Sequence, residues 1–122
     1  MTTITIDGRE YNTDITHLEL KGSQLIDLPP EIGNLVNLTH LELKGSHFTN
    51  LPPEIGNLVN LTHLNVLNCS HFTNLPPEIG NLVNLTHLKL WNCPLITFPS
   101  QIGNLVNLTI LDLTNSPLTT LL

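Results

Sequence analysis

LPPEIGNLVNLTHL occupies residues 28–41, and the same letters recur unchanged at 51–64 and 75–88. A diverged copy, FPSQIGNLVNLTIL, runs from 98 to 111. From Leu28 through Leu51, Leu75 and Phe98 to Leu121 the steps are 23, 24, 23 and 23 residues. A period of this size marks a solenoid, in which one supersecondary unit is stacked on copies of itself. Upstream, ITHLELKGSQLIDLPP (15–30) matches LTHLELKGSHFTNLPP (38–53), which extends the array to about five coils over 15–122.

Each unit can be read from its own chemistry. In Leu38-Thr-His-Leu41-Glu-Leu43, Leu41 and Leu43 alternate with polar neighbours, the pattern of a short half-buried strand. Leu51-Pro-Pro-Glu-Ile-Gly-Asn-Leu58 is no strand, because two prolines remove donors and set φ. Ile55 and Leu58, three apart, suit a turn of 3₁₀ or α helix, with Gly56 easing the backbone. Strand, turn, helical return and turn make one coil. Stacking is expected to bury Leu28, Ile32, Leu35, Leu38, Leu41, Leu43 and Phe48 against their copies, each contributing about 1.5–3 kcal/mol before entropy. The third coil has one residue more, LNVLNCSHFTN (64–74) against LELKGSHFTN (41–50), and predicts a bulge near Ser70 and His71.

The pattern L-x-x-L-x-L-x-x-S-x-F at 38–48, followed by L-P-x-x-I at 51–55, resembles a leucine-rich repeat. The 23-residue length and LPPEIG resemble the Ras-suppressor and plant intracellular Ras-group subclass. The resemblance implies an α/β leucine-rich-repeat solenoid curving as a right-handed arc. A short parallel β-sheet would line its concave face, and short helical or 3₁₀ turns its convex face. It also implies protein–protein recognition. The family usually has Asn in a ladder after each strand; here that position holds Ser23, Ser46, Cys69, Cys93 and Ser116, which predicts weaker hydrogen bonding.

A solenoid needs covered ends. ThrIleThrIleAspGlyArgGluTyr (3–11) reads as two strands about an Asp7-Gly8 turn, an N-terminal capping β-hairpin within 1–14. At the other end Leu118–Leu122 begins a further unit, and the C-terminus reads as uncapped. That edge suggests self-association, or a structural or designed repeat scaffold.

Composition limits the partners. Among 122 residues only 11% are charged, the net charge is −6, and Arg9, Lys21, Lys44 and Lys89 are scattered. Nucleic acid and anionic membranes both require Lys/Arg clusters, so neither is expected. The first residues lack a signal-peptide pattern and no apolar run reaches membrane-spanning length, so the default compartment is cytoplasmic. Asn37, Asn60, Asn84 and Asn107 begin Asn-Leu-Thr triplets and Asn68 begins Asn-Cys-Ser; these glycosylation patterns read as by-products of the repeat. No nucleophile elbow, phosphate loop or other catalytic signature is present, so neither enzyme activity nor a cofactor is expected.

The outward strand positions form the candidate partner-binding surface. One column is His17, His40, His63, His87 and Ile110. The next is Glu19, Glu42, Asn65, Lys89 and Asp112, and the third Lys21, Lys44, Leu67, Trp91 and Thr114. Trp91, the single tryptophan, reads either as a binding hot spot or as a shield for the insertion. The His column is a weak metal candidate, with Glu19 or Glu42 as an oxygen ligand, because no H-x-x-x-H spacing exists locally. Stacked imidazoles also predict lowered pKa values through mutual repulsion, hence a pH-responsive face. Cys69 and Cys93 fall at equivalent ladder positions of neighbouring coils and read as buried thiols, although their spacing allows a disulfide.

Overall fold

The computed structural model describes residues 2–22 and 26–117. Five parallel strands follow in chain order: β3 (His17–Lys21), β4 (His40–Lys44), β5 (His63–Leu67), β6 (His87–Trp91) and β7 (Ile110–Asp112). Before them an antiparallel hairpin pairs β1 (Thr3–Ile6) with β2 (Arg9–Asn12). Between the parallel strands the chain returns through 3₁₀ turns at Pro30–Asn34, Pro53–Asn57, Pro77–Asn81 and Ser100–Asn104. This is the α/β leucine-rich-repeat solenoid: a sheet on the concave face, 3₁₀ turns on the convex face.

The LPPEIG segment explains the return. The first proline is the last extended residue, with Pro29 at φ −69°, ψ 153° and Pro52 at φ −69°, ψ 155°. The second occupies the first helical position, where its missing N–H removes no intrahelical bond. Ile55 N–H then donates to Pro52 O at 3.0 Å and Leu58 N–H to Ile55 O at 3.1 Å, closing a tight turn.

The core runs through the stack. Ile32, Leu35, Leu38, Leu43 and Phe48 are fully buried, as are their copies Ile55, Leu58, Leu61, Val66 and Phe72. Ile4 and Ile6 of the hairpin join this core. Gly56 has another role than backbone freedom. A Cβ there would lie 3.0 Å from Asn81 Nδ2 and 3.1 Å from the Glu78 carbonyl oxygen, so glycine lets neighbouring coils approach.

The extra residue of the third coil is absorbed as a turn at Ser70 and His71, closed by Phe72 N–H on Cys69 O at 3.1 Å. Phe72 thereby remains as buried as Phe48. Ser23 and Leu118–Leu122 lie outside the described residues.

Candidate functional site on the sheet face

Register places the three outward columns as the repeat spacing demands. His17, His40, His63, His87 and Ile110 are paired across successive strands. So are Glu19, Glu42, Asn65, Lys89 and Asp112. Lys21, Lys44, Leu67 and Trp91 form the third column. Parallel strands in register put equivalent side chains one strand spacing apart, about 4.7–4.9 Å.

The imidazoles stack face to face. Centroid separations are 4.1 Å for His17–His40 and 4.2 Å for both His40–His63 and His63–His87. Interplanar angles are 11–12°. Stacked rings direct equivalent nitrogens in parallel, which does not converge ligands on one ion. Among the described residues no group of three or more His, Cys, Asp or Glu is placed to hold a metal.

The preceding threonines orient the rings. Oγ1 of Thr16, Thr39, Thr62 and Thr86 lies 2.8–2.9 Å from Nδ1 of His17, His40, His63 and His87 respectively. In the later coils the same hydroxyl reaches the threonine carbonyl one coil back, at 3.1 Å: Thr39 to Thr16, Thr62 to Thr39, Thr86 to Thr62. A hydroxyl has one proton. That proton serves either the carbonyl or the nearer Nδ1, and the ring takes the tautomer that complements it. The repeated Thr-His dipeptide is visible in sequence; its hydrogen-bond relay requires the register.

Burial lowers the pKa of His40 and His63 first, and neighbouring rings second: His17 and His87 act on His40, and His40, His87 and Lys89 on His63. Desolvation is therefore the largest single cause, and repulsion within the stack acts in the same direction.

The second column changes sign along the arc. Glu19 pairs with Lys21 at 3.1 Å, with both side chains substantially exposed. Asn65 Nδ2 donates to Glu42 Oε1 at 3.5 Å, while its buried Oδ1 has no partner. Lys89 Nζ lies 5.6 Å from the Trp91 ring centroid, a cation–π arrangement. Asp112 accepts from the Thr114 hydroxyl at 2.6 Å; that bond first and the Trp91 indole second hold its carboxyl below the usual range. Trp91 is 37% exposed beside half-buried Leu67.

The Ser/Cys ladder after the strands is weakly bonded, as its residues imply: between coils Cys93 Sγ reaches Val66 O at 3.4 Å and Cys69 Sγ reaches Leu43 O at 3.8 Å. Ser116 Oγ reaches Leu90 O at 2.7 Å, but Ser46 Oγ is 3.5 Å from Lys44 O. Cys93 Sγ reaches Trp91 O at 3.3 Å and Cys69 Sγ reaches Leu67 O at 3.5 Å. Both thiols are buried and free; burial raises each, Cys93 to about 11, so neither is a nucleophile at neutral pH. Asparagine acts elsewhere. Asn92 Nδ2 donates to Asn68 Oδ1 at 2.6 Å and Asn115 Nδ2 to Asn92 Oδ1 at 2.7 Å. These three have φ of 55–59°, the left-handed turn that Gly45 supplies earlier at φ 62°. At the opposite edge Asn60, Asn84 and Asn107 donate to Val36, Val59 and Val83 carbonyls at 2.7–2.9 Å. Those amides tie coil to coil, a structural use of the triplets that sequence alone marked only as glycosylation patterns.

No helix among the described residues is long and apolar enough to cross a membrane. The family model described as leucine-rich repeat region matches residues 13–118. No curated protein matches the chain. A solved structure of a leucine-rich-repeat protein of Leptospira interrogans is 36% identical, with a TM-score of 0.78 over 89% of this chain and 28% of that one. The leucine-rich repeat domain of the type III effector XopL is 28% identical, with a TM-score of 0.74 over 79% of this chain and 35% of that one. The ectodomain of an Arabidopsis thaliana membrane receptor kinase, in complex with Casparian strip integrity factor 2, shares the fold at 23% identity and a TM-score of 0.67, over 89% of this chain and 13% of that one. The chain thus spans about a third or less of the first two. Repeat period, strand register and family match agree: this chain belongs to the leucine-rich repeat family.

Proposed function

We propose that the chain is a non-enzymatic protein-recognition module that binds its partner on the concave sheet. Leucine-rich repeats commonly serve as interaction modules. The observation that carries the reading is Trp91, 37% exposed at the end of an in-register column beside half-buried Leu67. An aromatic ring flanked by Lys89 and Asp112 is a low-entropy anchor on a face that also carries the polar positions His40, Glu42, Lys44, His63, Asn65 and His87. The 23-residue period and LPPEI segment support placing it in the Ras-suppressor and plant intracellular Ras-group subclass. A cytoplasmic setting fits two buried, unpaired thiols.

Immobilised protein should retain a binding partner from lysate that Trp91→Ala releases. Retention by Trp91→Ala and Glu42→Ala alike removes the sheet-face assignment. A second reading, self-association, is favoured by Leu111. It is 39% exposed, although its equivalents Leu64 and Leu88 are fully buried. Sedimentation equilibrium tests it: a monomer at every concentration removes it.

A further inference from the structure

His47 and His71 lie outside the histidine column and are arranged differently from it. Each immediately precedes a fully buried phenylalanine, Phe48 or Phe72. Two residues further on, Thr73 N–H donates to Thr49 O at 3.2 Å. The backbone beneath both histidines is therefore anchored one coil apart, while the side chains are exposed. Their rings sit 5.6 Å apart, centroid to centroid, and are tilted by 35°. Rings of the column sit 4.1–4.2 Å apart and within 11–12° of parallel. The extra residue of the third coil places His71, but not His47, in a turn, so the two copies do not stack as the column does. Their nitrogens are also available. Nδ1 of His17, His40, His63 and His87 lies against a threonine hydroxyl. Among the described residues neither His47 nor His71 makes a hydrogen bond or an ion pair.

We propose that His47 and His71 together chelate a divalent late first-row transition ion, copper(II) most tightly. Imidazole suits such ions, and affinity along the divalent series peaks at copper. A metal–nitrogen bond of about 2.0–2.1 Å puts each ring centroid about 3.2 Å from the ion, so two ligating rings lie about 4.5 Å apart at a right angle and about 5.2 Å at a tetrahedral one. From 5.6 Å, small side-chain torsions on an anchored backbone reach both. The column rings are closer than either spacing and nearly parallel, so their nitrogens run side by side instead of converging. Calcium and magnesium take oxygen ligands and do not fit this donor pair. No third His, Cys, Asp or Glu joins it among the described residues, so water fills the remaining positions. Neither residue belongs to the outward columns of the sheet, and the site does not depend on the reading of that sheet as a recognition face.

The test titrates copper(II) into the whole chain at neutral pH in a non-coordinating buffer, followed by calorimetry and electron paramagnetic resonance. One equivalent should bind saturably, with hyperfine structure from two imidazole nitrogens. His47→Ala and His71→Ala should each weaken that site about tenfold or more, because losing one donor loses the high local concentration of the second. The His40→Gln/His63→Gln pair should leave it unchanged, and calcium should give no saturable heat. Copper binding that survives both alanine variants, that disappears in the His40→Gln/His63→Gln pair, or that consists only of several weak equivalents would each overturn the proposal.

Discussion

The coil built on Ile55 and the coil built on Ile102 share NLVNLT and almost the same turn, yet differ in packing. Ile55, Leu58, Leu61 and Leu64 are fully buried, whereas Leu105 is 6% exposed, Leu111 39% exposed, and Ile102 and Leu108 only partly covered. Gly56 is pressed against the next coil, while a Cβ at Gly103 would meet nothing within 4 Å. Val59 is 48% exposed and Val106 79%. The lesson is that a repeat's letters do not carry its stability. Burial comes from the neighbour on each side, as expected of a nearly one-dimensional stack.

Truncation of the matched leucines should show the largest contrast. Leu64→Ala leaves a cavity between two coils and should cost about 2–5 kcal/mol. Leu111→Ala, already exposed, should cost about 1 kcal/mol or less. Urea denaturation monitored by circular dichroism measures both; equal losses would mean that Leu111 is covered in solution, and would favour self-association.

Adding a methyl to each glycine is a finer probe. Gly56→Ala must push Asn81 and Glu78 away and should destabilise by about 1–3 kcal/mol, the range for overpacking. Gly103→Ala meets open space with no left-handed φ and should stabilise by about 0.4–1 kcal/mol through the unfolded chain. Opposite signs in the two melting curves confirm the contrast; a destabilised Gly103→Ala breaks it.

The smallest effect concerns the outward face, where the last coil puts Ile110 in the histidine column. His40 and His63 have folded pKa values below 6.5, so the unfolded chain takes up protons first as pH falls. Stability should be complete above about pH 6.5 and decline below it until the folded rings titrate too. Among the charged groups around these rings, His17, His87 and Lys89 reinforce the decline, and Glu19 and Glu42 share the same face. The His40→Gln/His63→Gln pair should flatten the stability profile between pH 7 and 5. An unchanged slope would show that the stack does not set it.

Much of this was legible in the residues. Alternation at Leu41 and Leu43, the paired prolines at 52 and 53, and the 23-residue step required strands, returns and register, because stacking identical units puts identical letters side by side. The candidate face followed from the same arithmetic. What remained hidden depended on contacts between coils. Gly56 read as local freedom, and only the approach of Glu78 and Asn81 shows it to be clearance. Asn60 and Asn84 read as glycosylation patterns, and only register turns their amides onto Val36 and Val59 carbonyls.

Sequence alone therefore determined the coil, its count and the order of its columns, since periodicity is a property of the chain. Tertiary structure decided that the imidazoles stack face to face against the threonine hydroxyls, that Asn65 keeps an oxygen unpaired, and that Leu111 is exposed where Leu64 is buried. Each of these is settled by atoms about 23 residues away in the chain and a few ångströms away in space.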